Sequence, residues 1–123
     1  MKAISALLVT LLLSIPALAE MRMGTYKLTG AIPGGNAYSG TVKIEPNGEN
    51  YKLHWVIGDQ GQQQQMGQGI LNGDVLSVAY FDLSGQDYGV VSFKIVSDSR
   101  IEGKWASFES NVQGSETLEF SER

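Results

Sequence analysis

The chain has 123 residues, 13 acidic against 9 basic side chains, a formal net charge of −4 and no cysteine. This composition suits one acidic domain of about 100 residues and disfavours nucleic-acid binding, which normally requires a cationic patch. The lack of cysteine excludes a disulfide framework, a thiol nucleophile and a thiolate metal site.

The first twenty residues have the features of a secretory signal peptide. Lys2 precedes an apolar run over 6–15, and small residues suited to cleavage end at Ala19. The run is too short to span a membrane. We therefore predict a signal peptide over 1–19 and a periplasmic or secreted bacterial protein, without a membrane span, formed by 20–123. A buried N-terminal helix is the alternative for this run.

From Thr25 onward, polar and apolar residues alternate with the period of two that is typical of β-strands. Turn-forming residues interrupt this alternation, so that strands are predicted over 25–32, 38–45, 51–57, 64–71, 75–82, 88–96, 100–108 and 115–121. Helix signals are nearly absent. Short consecutive strands with tight turns favour an all-β, single antiparallel up-and-down meander that closes into a small barrel. A two-sheet sandwich is the alternative.

Two of the predicted strand segments, 75–81 and 90–96, are apolar on both faces. Only one face of a barrel strand fills the interior, so the other face needs a loop or a second subunit to cover it. A homodimer through these strands is therefore one expectation.

The stretch DQGQQQQMGQG at 59–69 connects the third predicted strand to the fourth. Its glycines and uncharged amides suit a mobile loop at a barrel mouth, where Met66 would add an adaptable apolar contact. The alternative is a polar hairpin in which the glutamines continue the strands, with Gln62 and Gln64 covering one face.

Recognisable catalytic and metal-binding patterns are missing from the sequence. His54 is the only histidine, and we predict it on the outer face beside Lys52, without the partners of a hydrolase triad. Asp82 and Asp87 bracket a short loop for which a Ca²⁺ site and Asx turns are the alternatives. We predict no enzyme activity, no metal and no cofactor.

Several stretches share the outline of one protein family: YSGTVKI (38–44), GQGILNGDVLSVAYFD (67–82), YGVVSFKI (88–95), EGKW (102–105) and GSETLEF (114–120). Together they resemble a family of small secreted bacterial proteins, some of which are labelled fibronectin-binding. The resemblance implies a compact calycin-like β-barrel, of avidin or lipocalin type, and implies no reaction. Members often carry a Cys pair in the strands around Leu53 and Leu71, and this pair is missing here.

Five side chains are the candidate ligand contacts: Trp55, Trp105, Tyr80, Tyr38 and Met66. Aromatic side chains in a barrel either fill the core or line a pocket at one open end. We predict a non-enzymatic binding protein that holds a small apolar or amphipathic ligand at the barrel mouth. The alternative is a surface interaction protein that binds a macromolecule, such as a host matrix protein.

Overall fold

The computed structural model describes residues 20–122 and confirms the predicted all-β barrel. Eight antiparallel strands follow one another around the barrel in chain order, and the first pairs with the last. They are β1 Gly24–Ala31, β2 Ala37–Asn47, β3 Asn50–Ile57, β4 Gln63–Asn72, β5 Val75–Asp82, β6 Tyr88–Ser97, β7 Arg100–Ser107 and β8 Gly114–Glu122. The predicted signal peptide over 1–19 lies outside the described residues.

All eight strands belong to one closed hydrogen-bonded sheet, so the two-sheet sandwich is wrong. Closure pairs both strand edges of what would otherwise be an open sheet, and thereby removes the surfaces through which open sheets associate. Residues 20–122 contain no helix with the length and apolar character needed to cross a membrane.

The two ends of the barrel differ in their connections. One end, the closed end, carries three two-residue turns, at 48–49, 73–74 and 98–99. Gly48 and Gly73 adopt φ values of +64° and +65° there, a conformation that glycine tolerates without steric cost. The other end, the mouth, carries four longer connections, at 32–36, 58–62, 83–87 and 108–113. Because β4 begins at Gln63, the glutamine tract continues the strand as the hairpin alternative predicts.

Apolar side chains fill the barrel towards the closed end. The aliphatic and phenylalanine side chains at 0–1% exposure are Leu28, Val42, Ile44, Leu53, Leu76, Phe93, Ile101 and Leu118. Most neighbouring residues in each strand are more exposed, because successive side chains of a strand point to opposite faces. Full burial of each such side chain contributes about 1.5–3 kcal/mol. In a chain without cysteine, this core and the closed strand pairing stabilise the fold.

Several large apolar side chains remain uncovered on the outer surface. Phe81, Val90 and Phe108 are 52%, 59% and 70% exposed, and the ring of Phe108 stacks on Tyr88 at 4.9 Å between centroids. Of the two covers expected for strands 75–81 and 90–96, the loop is therefore wrong at Phe81 and Val90. Covering by a second subunit stays a prediction.

Candidate functional site

A cavity of about 120 Å³ lies at the mouth of the barrel, beyond the filled core. Four of the five predicted ligand contacts line it: Tyr38, Trp55, Tyr80 and Trp105. Strands β2, β3, β5 and β7 bring these four side chains together from distant parts of the sequence. The barrel is thus filled with side chains at its closed end and has a cavity at its mouth. A filled core therefore describes the closed end, and a pocket describes the mouth.

Met66, the fifth predicted contact, is not among the residues that line the cavity. It pairs in register with His54 and Phe81, whereas the preceding residue, Gln65, reaches the cavity. Successive residues of a strand face opposite sides, so Met66 lies on the outside of the barrel. In this segment the cavity contacts are the amides of Gln63 and Gln65. Alternation counted backward from Leu71 along β4 was the signal that could have identified them.

Each cavity aromatic lies against a glycine of an adjacent strand. The four pairs are Gly30 with Tyr38, Gly67 with Trp55, Gly89 with Tyr80 and Gly114 with Trp105. A Cβ atom at Gly114 would overlap the indole ring of Trp105 and lie 2.6 Å from its Nε1. The missing side chain therefore creates the space that the ring occupies. This pairing explains why glycines and aromatic residues occur together at the inward-facing positions of these strands.

Glu116 is the buried polar group of the cavity, and sequence reasoning missed it. Its side chain lies on β8 and is only 6% exposed. The Tyr38 hydroxyl donates a hydrogen bond to Oε1 at 2.7 Å, and Trp55 Nε1 donates one to Oε2 at 3.1 Å. The available signal was its position, because Glu116 lies two and four residues before the inward residues Leu118 and Phe120 and so shares their face of β8.

Burial dominates the electrostatics of the site. It raises the pKa of Glu116 above the ordinary value of 4.5, and the hydrogen bonds from Tyr38 and Trp55 oppose part of this rise. The pKa of Tyr80 is raised to about 12, mainly by burial and further by the nearby charges of Asp87 and Glu116. Burial and Glu116 also raise the pKa of Tyr38. Both tyrosine hydroxyls therefore remain protonated donors at neutral pH.

Trp105 Nε1 is a buried donor without a hydrogen-bond acceptor among the described residues. The Trp105 ring stands edge-on to Tyr38 with centroids 6.4 Å apart, and its indole opposes part of the rise in the Tyr38 pKa. The two groups nevertheless do not meet the geometry of a hydrogen bond, so this proximity does not satisfy the donor. Buried N–H groups are nearly always paired with protein or water. The Trp105 side chain lines the cavity, and its Nε1 donor is left without a protein acceptor there.

The loop between Asp82 and Asp87 forms an Asx turn. Asp82 Oδ1 accepts a hydrogen bond from the Ser84 backbone N–H at 2.9 Å, and this bond is the main cause of its lowered pKa. No group of three or more His, Cys, Asp or Glu side chains within 20–122 is placed to hold a metal ion. His54 lies outside the barrel with Nε2 3.0 Å from Gln64 Oε1. The Asx-turn interpretation is confirmed.

The buried Glu116 predicts a distinctive pH dependence of stability. Below the unfolded-state pKa of about 4.5 both states hold its proton, so this residue adds no pH dependence there. As the pH rises toward the higher folded-state pKa, the unfolded chain releases its proton first and the free energy of unfolding falls. We expect Glu116→Gln to lose this decline. Melting temperatures of both proteins, measured from about pH 4 to about pH 8, check the difference; parallel curves would contradict it.

No protein-family model matches the chain, and no curated protein matches it. Among solved structures, a redesigned β barrel matches with a TM-score of 0.69 at 18% identity, covering 81% of this chain and 91% of that one. A de novo designed fluorescence-activating β barrel matches with a TM-score of 0.68 at 14% identity, covering 81% and 94%. A redesigned β barrel bound to DFHBI matches with a TM-score of 0.69 at 15% identity, covering 80% and 94%. At these identities the likeness shows the fold, a small β-barrel.

Proposed function

We propose that this protein is a secreted or periplasmic, non-enzymatic binding protein that holds a small amphipathic ligand in the cavity at the barrel mouth. The observation that carries the proposal is the convergence of four aromatic side chains and the buried Glu116 on one cavity. Small-molecule sites combine apolar and aromatic walls with a few polar groups that orient the ligand. The Glu116 carboxyl and the Trp105 N–H are such polar groups.

The volume of the cavity limits the size of the group it can enclose. An apolar cavity of about 150 Å³ binds benzene. The cavity of about 120 Å³ therefore suits a small ligand, or one end of a longer one. Ile32, Leu83 and Phe108 are exposed on the connections around the mouth and would contact any part that extends beyond it.

The composition of the cavity favours binding over catalysis. Among the side chains that serve as nucleophiles and bases, the lining within 20–122 has carboxylates and tyrosines but no histidine, cysteine, lysine or serine. Both oxygens of Glu116 already accept hydrogen bonds, from Tyr38 and Trp55. The acid is thereby held as part of the cavity wall.

The designed barrels lend architectural support. One of them is described as bound to DFHBI and another as fluorescence-activating, so the same strand arrangement can present a small-molecule site. The secretory pattern over 1–19 supports a ligand that is met outside the cytoplasm.

Native mass spectrometry of the mature protein, purified gently from its own host, tests this proposal. We expect a reproducible extra mass that is lost or reduced in Trp105→Ala, which removes one wall of the cavity without touching the Glu116 hydrogen bonds. Val90→Ala, on the outer surface, is the matched control and should keep the extra mass. A bare mass, together with tryptophan fluorescence that does not respond to a panel of lipids and metabolites, would contradict small-ligand binding.

A second function, the binding of a macromolecule, is favoured by the apolar rim of the mouth. This rim comprises the exposed side chains Ile32, Phe81, Leu83, Tyr88, Phe108 and Val112. Contiguous exposed apolar surface marks interaction sites, and the resemblance to secreted bacterial proteins labelled fibronectin-binding agrees with a host matrix partner. The homodimer predicted through strands 75–81 and 90–96 is the other candidate assembly, and the same mass spectrum would reveal it.

A further inference from the structure

The charge of the cavity has one sign. Glu116 and Asp87 line it, and no lysine, arginine or histidine in the described range does so. The ion pairs of residues 20–122 lie on the outer surface and none includes Glu116. An ionised carboxylate that is buried without a counter-charge is costly, and a bound cation removes much of that cost. A cationic ligand would therefore stabilise the ionised form of Glu116, which burial in the empty barrel disfavours.

The aromatic walls suit the same kind of ligand. The rings of Trp55 and Tyr80 are 6.1 Å apart at 57°, and those of Tyr38 and Trp105 are 6.4 Å apart at 67°. In each pair the rings meet edge-on or tilted and do not stack face to face, and all four line the cavity. Aromatic walls of this kind recognise ammonium groups, because the negative faces of the rings attract a cation.

The unpartnered donor of Trp105 adds a further requirement. Its N–H can only donate, so an ammonium group alone leaves it without a partner. Nε1 is buried in the empty barrel, so the indole would have to turn slightly for a hydroxyl, ether or carbonyl oxygen on the same ligand to accept this hydrogen bond. A molecule with both a cationic centre and such an oxygen would satisfy both Glu116 and Trp105.

We infer that the cavity binds a small organic cation that carries an oxygen acceptor, with Glu116 as its counter-charge, the four aromatic rings as its cage and Trp105 Nε1 as the donor to its oxygen. The inference rests on the proposed function and narrows its ligand class. Fatty acids and other anions are disfavoured, because their charge would meet Glu116 and Asp87.

The test uses three probes of similar size with the folded protein. Choline has the cation and the oxygen, 3,3-dimethylbutan-1-ol has the same shape and oxygen without the charge, and tetramethylammonium has the charge without the oxygen. Calorimetric titration should show choline binding about ten-fold or more tightly than its neutral isostere. Choline should also bind more tightly than tetramethylammonium, by a few-fold or about ten-fold.

Two variants test which residue causes the preference for charge and which causes the preference for the oxygen. Glu116→Gln should weaken choline binding about ten-fold or more and leave the neutral isostere little changed. Trp105→Phe should remove the preference for choline over tetramethylammonium while the preference for charge persists. Asp59→Asn is the matched control, because Asp59 is an exposed acid of a mouth connection that does not line the cavity. It should bind choline as the unaltered protein does.

The outcomes separate this inference from the proposed function. Equal binding of choline and its neutral isostere would overturn the cation preference while small-ligand binding stands. An extra mass on the host-purified protein that identifies an anionic or neutral ligand, with choline unbound, would do the same. Binding of none of the probes, together with a bare native mass, would overturn both. Equal weakening of choline binding by Asp59→Asn and Glu116→Gln would overturn the assignment to Glu116.

Discussion

Replacing Trp55 by alanine is expected to lower the free energy of unfolding by about 4 kcal/mol or more. Trp55 is 1% exposed, so its removal leaves a void in the barrel that the surrounding strands cannot fill. The replacement also removes the donor to Glu116 Oε2 and leaves that buried oxygen without a partner, which costs about 1–3 kcal/mol in addition. In a domain of this size, the melting temperature should fall by about 15 °C or more.

Trp55→Phe is the matched control for this variant. It keeps a buried six-membered ring and loses the N–H donor with a smaller part of the buried volume, so we expect it to cost about 1–3 kcal/mol for the hydrogen bond and less than Trp55→Ala in total. Urea unfolding followed by far-ultraviolet circular dichroism compares the two variants without relying on the removed fluorophore. Equal losses in both variants would show that the hydrogen bond to Glu116, and not the packing of the ring, accounts for the effect.

Replacing Gly40 by alanine is expected to destabilise the barrel by about 3 kcal/mol, the upper end of the usual cost of overpacking. A Cβ atom at this position would overlap the carbonyl oxygen of Val56 and lie 2.9 Å from the Cα atom of Ile57. Both belong to the backbone of β3, the strand that pairs with β2. Relief therefore requires these two strands to shift apart, and in a closed barrel this disturbs their neighbours as well.

Gly69→Ala supplies the comparison for Gly40→Ala. Its Cβ atom would lie 2.9 Å from Cδ1 of Leu76 and 3.1 Å from Cγ2 of Val78, which are the ends of side chains. Side-chain ends can rotate away, so we expect a cost of about 1 kcal/mol. Urea midpoints of both variants measure the difference. A Gly40→Ala protein as stable as Gly69→Ala would contradict the backbone overlap.

The strands were predictable because their signals are local. Alternation from Thr25 onward and the turns around Gly48 and Gly73 locate every strand end to within two residues. Residue type alone also identified the aromatic side chains as candidate contacts, because few other side chains in this chain could form a small-molecule site. Four of the five predicted contacts then lie in one cavity, although ligand binding by them stays a prediction.

The remaining features of the site depend on phase and register. Met66 was expected to contact a ligand at the mouth, although the predicted strand over 64–71 already included it, and its register with His54 and Phe81 in β4 places it on the outer surface. Glu116 was overlooked because an acid in a strand usually faces solvent. Its inward position is acceptable only because Tyr38 and Trp55, from two other strands, donate to both of its oxygens.

By itself, therefore, the sequence determined that the chain forms eight short antiparallel strands, since alternation and turn chemistry act between neighbouring residues. Only the tertiary structure decided that β1 pairs with β8 and that Gly30 and Gly114 lie against Tyr38 and Trp105. Closure and register depend on which distant segments pair with each other. One complete set of strand pairings competes with another, so neighbouring residues alone do not fix them. These pairings leave a cavity at one end of the barrel, a buried acid without a counter-charge and an indole N–H without an acceptor.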